Sequence, residues 1–495
     1  MGLSYCIDTI LALSATIEII VKLSRVEESI VTDTKWYAEI DLSGRSKYKA
    51  LADHLEKSIE DGSLPVGHQL PPVRQLAWDL GVTPGTVARA YGQLTDAGHL
   101  EAVVGRGTFV APKRASVADD IWSRSSLQDD GTINLFSPRL PDMGQVAAVR
   151  RALREVADGP VKDLVEYPDR AGFRPAREAV VSWLADMPLG SIGEKDVVLC
   201  HGGQNAISLV LQAALRDPHP TILVEDLSYA GFRRAAEMLR IEVVGVPCDS
   251  EGLIPEEVGR LARRTGARLL CTSAEVHNPT GLHTPRARRE AIVTACQRAD
   301  NVQILEDDCY RIGPARAPGY RALWPEGAWY ISSISKTITP ALRIGFAVAP
   351  EGRYAELRRA AEYGFFGLAR PLAEVARIVL SDPETRAITE RVRSRVGAYV
   401  RAAVNMLGGF DLTWHEDVPF LWLSLPRGWR AAEFSLAAER AGIRIRSAEE
   451  FTLREGRAPH SVRIAVNGQI PLDRFEAAMA TLRDLLTNPP DHMAV

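Results

Sequence analysis

The sequence lacks the features of a disulfide-stapled, metal-binding or membrane-spanning protein. Its six cysteines include no CxxC pair, which disfavours a zinc site, and without a secretory signal they indicate reduced thiols. An apolar run at residues 7–23 is interrupted by Asp8 and Glu18, follows no basic segment, and is short for a bilayer span of about 20 apolar residues. We therefore expect a cytoplasmic protein with no metal site and no membrane partner.

An excess of charge of one sign is also missing. The 59 basic and 63 acidic side chains give a formal net charge of -4, so bulk charge offers no argument for nucleic-acid binding, which would need a local module. The 495 residues, 46% apolar and 25% charged, are ordinary globular composition, and at roughly 100–200 residues per domain they predict two to four domains. Residues 1–44 are predicted to be an N-terminal extension, helical in part.

Residues 45–113 have the pattern of a small helical module with a hairpin. Apolar residues at helical spacing predict helices over 48–59 and 72–80, and Thr83 is placed to cap a third helix that starts at Pro84. Two short apolar runs flank Gly105-Arg106-Gly107 and predict a β-hairpin, or wing. Two short helices across a tight turn, followed by a wing, predict a winged helix-turn-helix.

The third helix of such a module can enter the major groove of DNA. Side chains at its start, on the preceding helix and at the wing tip are therefore the candidates for DNA contact: Arg74, Thr83, Thr86, Arg89 and Arg106. Between residues 45 and 114 there are nine basic and seven acidic side chains, which is a modest electrostatic footprint. Winged helices also serve as protein-interaction modules, and the pattern alone leaves that alternative open.

Four segments of this module carry a family resemblance. QLPPVRQLA at 69–77, GVT at 81–83, TVARAY at 86–91 and GRGTFV at 105–110 closely resemble the GntR-type winged helix of bacterial transcription factors. The resemblance implies binding to a double-stranded DNA operator. Pro84-Gly85 departs from the polar or basic pair that family members often carry there.

Residues 114–133 are predicted to be a linker, and residues 134–488 a second, larger domain. Apolar strand-like runs near 197–200, 221–224, 268–271, 302–305, 329–332 and 344–348 alternate with helical stretches, which predicts a mostly parallel sheet with helices on both faces. From about 385 the pattern changes to that of a smaller α+β subdomain reaching 488. The predicted fold is thus multidomain, an N-terminal winged helix-turn-helix followed by an α/β domain.

Several short clusters in the second domain make chemical sense together. Lys336, in the Ser333-Ile334-Ser335-Lys336-Thr337 run after a predicted strand, is placed to form a Schiff base with an aldehyde, and Arg343 to bind a phosphate. A glycine loop at 200–206 precedes a helix whose N-terminus favours phosphate. Asp307 ends another strand and can keep a pyridinium nitrogen protonated, while the Asn278 amide can donate to a ring oxygen. Pyridoxal 5'-phosphate carries the aldehyde, the phosphate, the ring nitrogen and the ring oxygen that these residues are suited to bind.

In this order along the chain the clusters resemble class I aminotransferases of the fold type I pyridoxal-phosphate enzymes. The resemblance implies that Lys336 is the catalytic residue and forms an aldimine with pyridoxal 5'-phosphate, and that Arg463 binds a substrate carboxylate. It also implies the cofactor-binding residues Tyr167, Gly202, Gly203, Gln204, Tyr229, Asn278, Asp307, Tyr310, Ser333, Ser335, Lys336 and Arg343. Tyr229 would stack on the ring, and Tyr167 would reach the phosphate across a dimer interface. Gly203 stands where relatives often have Ser or Ala.

A GntR-type head joined to an aminotransferase-like body resembles the MocR (GabR/PdxR-like) regulators. This implies a transcriptional regulator that senses pyridoxal phosphate or a small amino compound, and a head-to-tail homodimer. Two alternatives stay open at this point: an active aminotransferase with an accessory DNA-binding head, and a DNA-binding protein whose body only dimerises.

Overall fold

The computed structural model describes residue 40 and residues 47–65, 67–96, 99–103, 107–111, 131–160, 165, 173–453 and 456–489. The chain divides into two compact units, Met1–Gln128 and Asp129–Val495. Nearly all of the predicted extension at 1–44, and the predicted linker up to residue 130, lie outside the described residues.

The described residues of the first unit form three helices and a three-stranded sheet. The helices are α1 (Lys47–Glu60), α2 (Val73–Asp79) and α3 (Pro84–Asp96), and the strands are β1 (Gln69–Leu70), β2 (Leu100–Val103) and β3 (Gly107–Val110). The predicted helices and hairpin are confirmed, and β1 adds a strand that pairs antiparallel with β3. Leu51, Leu55, Leu76, Val87 and Leu94 are among the residues that form its core.

A seven-stranded sheet is the centre of the second unit. Its strands are β5 (Val197–Cys200), β6 (Thr221–Glu225), β7 (Glu242–Val246), β10 (Leu269–Thr272), β11 (Gln303–Asp307), β12 (Ala328–Ser333) and β13 (Gly345–Val348). They lie in the order β5-β13-β12-β11-β10-β6-β7, and all neighbours are parallel except at β13. A short hairpin, β8 (Cys248–Asp249) with β9 (Gly252–Leu253), follows β7. The mostly parallel sheet was predicted, whereas the edge strand β7 was not.

Helices cover both faces of this sheet. They are α4 (Gln145–Ala157), α5 (Arg174–Trp183), α6 (Gly202–Ala214), α7 (Ala230–Met238), α8 (Pro255–Thr265), α9 (Arg286–Arg298), α10 (Tyr320–Leu323), α11 (Tyr354–Phe365) and α12 (Arg370–Ser381). Successive strand residues point to opposite faces, so Val198 packs with α6, α7 and α11 while Val197 and Leu199 pack with α4, α5 and α12.

A smaller layer follows. It contains α13 (Pro383–Leu407), β14 (Leu412–Thr413), β15 (Phe420–Ser424), α14 (Ala431–Arg440), β16 (Ile443–Arg444), β17 (Arg446–Ser447), β18 (Ser461–Ala465) and α15 (Leu472–Thr487). The sheet order is β14-β15-β18-β17, and β16 pairs in parallel with β4 (Ile133–Asn134). The first strand of the unit therefore belongs to the small layer, and it begins at the last residue of the predicted linker.

None of the helices in the described residues has the length and apolar character needed to cross a bilayer. The same residues contain no group of three or more His, Cys, Asp and Glu side chains arranged to hold a metal ion.

Candidate functional site

The predicted cofactor residues follow the carboxyl ends of neighbouring strands of the large sheet. Gly202 follows β5, Tyr229 follows β6, Asn278 lies beyond β10, Asp307 ends β11, and Lys336 ends a 3-10 turn directly after β12. Ligands of open α/β sheets bind at this edge because parallel strands all end there. The fold thus brings five sequence-distant segments to one side of the sheet.

Arg343 lies beside the N-terminus of α6. A Cβ built on Gly202 would be 2.7 Å from Nη2 of Arg343, and one on Gly345 would be 2.7 Å from the carbonyl carbon of Gly202. Gly202 has φ +78°, which favours glycine, and Arg343 itself has the left-handed φ of 49°. A guanidinium, the start of a helix and a close approach of two backbones together make a cradle suited to phosphate.

Gln204 and Tyr229 form the next side of the site. The Tyr229 hydroxyl donates to Oε1 of Gln204 at 3.1 Å, and the Gln204 amide donates to the carbonyl oxygen of Gly231 at 2.9 Å. These bonds fix the Tyr229 ring at the start of α7. Burial raises the pKa of Tyr229 well above its ordinary value, so it stays protonated as a donor.

Gly203 is explained by a neighbour that the sequence reasoning missed. A Cβ on Gly203 would lie 2.5 Å from Sγ of Cys309, closer than such atoms can approach. Burial and the neighbouring Asp307 carboxylate raise the pKa of the Cys309 thiol well above its ordinary value, so it stays protonated. The thiol therefore occupies the space that a side chain at position 203 would need. The signal in the sequence was the cysteine between Asp308 and Tyr310.

We predict that Gly203→Ala has opposite effects on the free energy of unfolding in two backgrounds. In the natural chain it should lower the free energy of unfolding by about 1–3 kcal/mol, because the added methyl group overlaps Cys309 Sγ. In a Cys309→Ala background it should raise that energy by about 0.5–1 kcal/mol, as Gly→Ala does within a helix. Urea unfolding of the cofactor-free protein measures the double-mutant cycle. Equal effects in the two backgrounds would show that the two side chains are not in contact.

Lys336 and Tyr310 face each other in the site. Nζ of Lys336 is 5.2 Å from the centroid of the Tyr310 ring, and that ring packs edge-to-face on Phe420 at 5.4 Å. Burial alone would raise the pKa of Tyr310, but the positive charges of Lys336 and Arg463 lower it below its ordinary value. Ser333, which precedes the turn, and Ser335, which lies within it, are both buried, and Oγ of Ser335 has no partner in the described structure.

Three consecutive acids end β11, and their contacts separate their roles. Glu306 accepts hydrogen bonds from Arg289 and from the backbone of Tyr320. Asp308 accepts from Arg311 and from the Tyr330 hydroxyl. Asp307 instead accepts from the Cys309 backbone at 3.0 Å, and burial raises its pKa to about 6. Asp307 is thus the acid of the three without a cationic partner in the described structure.

Arg463 is a buried cation held by neutral groups. Its side chain is 1% exposed; Nη1 donates to Oδ1 of Asn278 at 2.5 Å and Nη2 to the Phe136 carbonyl oxygen at 2.9 Å. Nε has no partner, and burial lowers the pKa of Arg463 to about 10. Within the described residues no carboxylate pairs with it. A buried guanidinium arranged in this way is suited to an anionic ligand.

Two of the predicted residues, Tyr167 and Arg106, lie outside the described residues. A residue that the sequence reasoning missed is Arg446, which lies directly opposite Arg463 in the sheet. The signal in the sequence was the alternation Arg444-Ile445-Arg446. Without the register of β17 on β18, however, Arg446 could not be placed next to Arg463.

The first unit presents the predicted DNA-facing side chains on α2 and α3. The Thr86 backbone N–H donates to Oγ1 of Thr83 at 3.3 Å, so Thr83 caps α3 as predicted. Arg74 is exposed on α2. Arg89 is exposed as well, but its guanidinium stacks over the Tyr48 ring at 4.1 Å, so α1 orients it.

Comparison with known protein families gives a match to each part of the chain. Residues 131–480 match the family model described as "Aminotransferase class I and II". Residues 47–110 match the model described as "Bacterial regulatory proteins, gntR family".

Similar proteins and solved structures agree with these matches. The HTH-type transcriptional regulator YdeF of Bacillus subtilis, described as uncharacterized, is 26% identical over 91% of this chain and 96% of its own length. The vitamin B6 salvage pathway transcriptional repressor PtsJ of Salmonella typhimurium is 28% identical over 84% of this chain and 93% of its own. The crystal structure of the multiple substrate aminotransferase from Thermococcus profundus superposes with a TM-score of 0.66 at 18% identity, covering 76% and 95% of the two chains. At that identity the likeness shows the fold.

Proposed function

Since the chain belongs to the class I and II aminotransferase family and joins that fold to a gntR-type head, the layout of a MocR-type regulator, we propose that it controls transcription in response to a small amino compound. The head would bind an operator in double-stranded DNA, in the cytoplasm, as part of a head-to-tail homodimer. The body would hold pyridoxal 5'-phosphate on Lys336 and bind the amino compound, or respond to the cofactor itself. The regulator PtsJ, whose name refers to vitamin B6 salvage, supports a link to this cofactor.

One observation supports the proposal above the others: Lys336, Tyr310 and Asn278, which follow strands of the seven-stranded sheet, form a connected group with Arg463 of β18 in the four-stranded sheet. Lys336 faces the ring of Tyr310, the positive charge of Arg463 lowers the pKa of Tyr310, and Arg463 donates a hydrogen bond to Asn278. Two buried polar atoms there, Oγ of Ser335 and Nε of Arg463, have no partner in the described structure. Such atoms are expected to be satisfied by a ligand.

These residues fit pyridoxal 5'-phosphate. When bound, that cofactor supplies an aldehyde that reacts with amines and a ring that withdraws electrons. Arg343 and the N-terminus of α6 would hold its phosphate, and Asp307 would keep a proton on the ring nitrogen. Asn278 and Tyr310 would donate to the ring oxygen.

Lys336 and Arg463 would have separate tasks in sensing. Lys336 supplies the amine that an incoming amino compound replaces, while Arg463 binds the carboxylate of that compound and orients it. The freed lysine and the newly paired arginine change the contacts at the boundary of the two sheets. A ligand that prefers one arrangement of the protein shifts its population, and the DNA affinity follows if the arrangements differ in it.

DNA binding by the head is tested with Arg74→Ala. We expect the affinity for the DNA upstream of the gene to fall roughly tenfold, because one charged contact to phosphate or base is lost. Lys57→Ala, which removes an exposed basic residue from α1, is the matched control and should change affinity little. Fluorescence anisotropy at fixed salt measures both variants. Equal affinities of Arg74→Ala and the natural protein would remove Arg74 from the DNA interface.

An active aminotransferase is the second candidate, because an amine, a ring-nitrogen acid and a carboxylate-binding arginine occur together in Lys336, Asp307 and Arg463. Multiple-turnover assays across amino donors and keto acids separate the two functions. Rapid turnover by a protein with no operator preference would favour the enzyme over the regulator.

A further inference from the structure

Arg446 lies beside Arg463 in the small sheet. The two residues are direct partners in the antiparallel pair β17–β18, and Trp422 of β15 is the partner of Arg463 on its other side. Side chains of directly opposed residues project from the same face of a sheet. Arg446 therefore projects from the face that carries Arg463 and its ligand-binding guanidinium.

Both guanidinium groups are fixed by one backbone oxygen. The carbonyl oxygen of Phe136 accepts from Nη2 of Arg463 at 2.9 Å and from Nε of Arg446 at 3.1 Å. The Arg446 guanidinium also stacks on the Phe136 ring, with Cζ 3.8 Å from its centroid. Both arginines approach the Phe451 ring, at 4.9 Å for Arg463 and 5.8 Å for Arg446. The two cations are thus held side by side before any ligand arrives.

The charge of this pair is only partly balanced. Glu450 forms an ion pair with Arg446, with Oε2 3.6 Å from Nη1, and is the one carboxylate paired with these two cations in the described structure. Arg463 pairs with no carboxylate in the described structure, and its buried Nε has no partner. Although burial raises the pKa of Tyr310, the positive charges of Lys336, Arg463 and Arg446 all lower it, so three cations act on this hydroxyl. Neighbouring like charges repel one another, so the site favours an anion.

The hydrogen-bonding capacity of Arg446 is also unfilled. Its Nε–H donates to the Phe136 carbonyl oxygen, and its side chain is 11% exposed. The edge formed by the two Nη groups can still match a carboxylate bidentately. A ligand carboxylate at this edge would replace the Glu450 carboxylate, which lies 3.6 Å from Nη1.

We propose that Arg446 is a second carboxylate-binding residue and that the ligand sensed by this protein is an amino acid with an acidic side chain. Its α-carboxylate binds Arg463, and its side-chain carboxylate binds the outer nitrogens of Arg446. The inference rests on the proposed function, because the ligand's amine must reach the cofactor held on Lys336.

Matched amino acids test the inference directly. The full chain, loaded with pyridoxal phosphate and desalted, is titrated with L-glutamate and with L-glutamine, which differ by a charge at nearly equal shape. The change in the visible absorbance band and isothermal calorimetry both give the dissociation constant. We expect glutamate to bind at least about tenfold more tightly, since a charge-assisted hydrogen bond replaces a neutral one. Aspartate and L-2-aminoadipate, each against its amide or a neutral analogue, test the length of the side chain.

Variants show which residue causes the preference for glutamate over glutamine. Arg446→Gln should bind glutamate and glutamine with equal affinity and bind glutamine as the natural protein does, whereas Arg446→Lys should keep part of the preference. Arg444, two residues before Arg446, pairs with Glu439 and serves as the control. Arg444→Gln should keep all of the preference for glutamate. If Arg446→Gln fails to load the cofactor, the comparison of glutamate with glutamine in the natural protein still tests whether the site prefers an acidic side chain.

The outcomes separate this inference from the proposed function. A natural protein without a visible band would overturn the cofactor proposal, and this inference with it. A protein that shows the band yet binds glutamate no better than glutamine, binds no amino acid, or keeps its preference in Arg446→Gln, would overturn the inference alone.

Discussion

Replacing Lys336 by alanine is expected to abolish the visible absorbance band of the protein after loading with pyridoxal 5'-phosphate and desalting. The band arises from the covalent link between this lysine amine and the cofactor, and the alanine side chain cannot make that link. Among the described residues of the second unit the other lysine is Lys195, which lies at the opposite, amino-terminal end of β5. The loss should therefore be complete rather than partial.

Lys195→Ala is the matched control for this experiment. Lys195 is exposed, and its removal should leave the band unchanged. A Lys336→Ala protein that keeps the band at full intensity would show that another amine holds the cofactor. The fold of both variants is checked by circular dichroism, since Lys336 itself makes no buried hydrogen bond that its removal would break.

Arg463→Met is expected to separate ligand binding from stability. The natural guanidinium is 1% exposed, has no acidic partner in the described structure and leaves Nε unbonded. Replacing a buried charge by an apolar side chain of similar length is often neutral or stabilising by about 1–4 kcal/mol, so the free energy of unfolding should stay level or rise. Loss of one partner of a buried charge pair costs about 2–5 kcal/mol, so a carboxylate-bearing amine should bind roughly 30- to 4000-fold more weakly.

The two halves of that prediction need separate measurements. Thermal or urea unfolding of the cofactor-free protein gives the stability, and titration of the visible band gives the affinity for amino acids. The band itself should survive, because Arg463 is not placed to hold the cofactor. A variant that unfolds much more easily, or one that binds amino acids unchanged, would contradict the role given to Arg463.

Much of the fold follows from local sequence features. Thr83, Pro84 and the apolar spacing of α3 define that helix, and the buried runs from β5 to β13 define most of the large sheet. The antiparallel β13 could have been expected as well, because the segment between Ser333 and Gly345 is too short for a parallel crossover that contains a helix. The strand β7 is less buried than its neighbours, so its pattern is weak.

Pairings over long sequence separations could not be derived in this way. β4 joins β16 across about three hundred residues, and that pairing places the Phe136 carbonyl oxygen against Arg463. The register of β17 with β18 makes Arg446 a neighbour of Arg463. Likewise, Gly203 and Cys309 meet only because α6 starts beside the end of β11. Each case depends on tertiary structure that single-sequence patterns do not specify.

Motif order, more than any single residue, indicated which segments lie together at this edge of the sheet. Among the acids at 306–308, the contacts of Glu306 with Arg289 and of Asp308 with Arg311 leave Asp307 without a cationic partner in the described structure. In the first unit, no sequence pattern indicated that Arg89 stacks on Tyr48. Side-chain partners of this kind decide which candidate is available, and they come from packing.

The coupling of the two units is tested most directly by the operator affinity of the cofactor-loaded protein with and without an amino ligand. Anisotropy titrations at fixed salt would use the natural protein and Arg463→Met, each with saturating acidic and neutral amino acids. The account predicts that an amino acid which moves the visible band changes the DNA dissociation constant at least about fivefold in the natural protein and leaves it unchanged in Arg463→Met. A DNA affinity that stays constant while the band moves would contradict it.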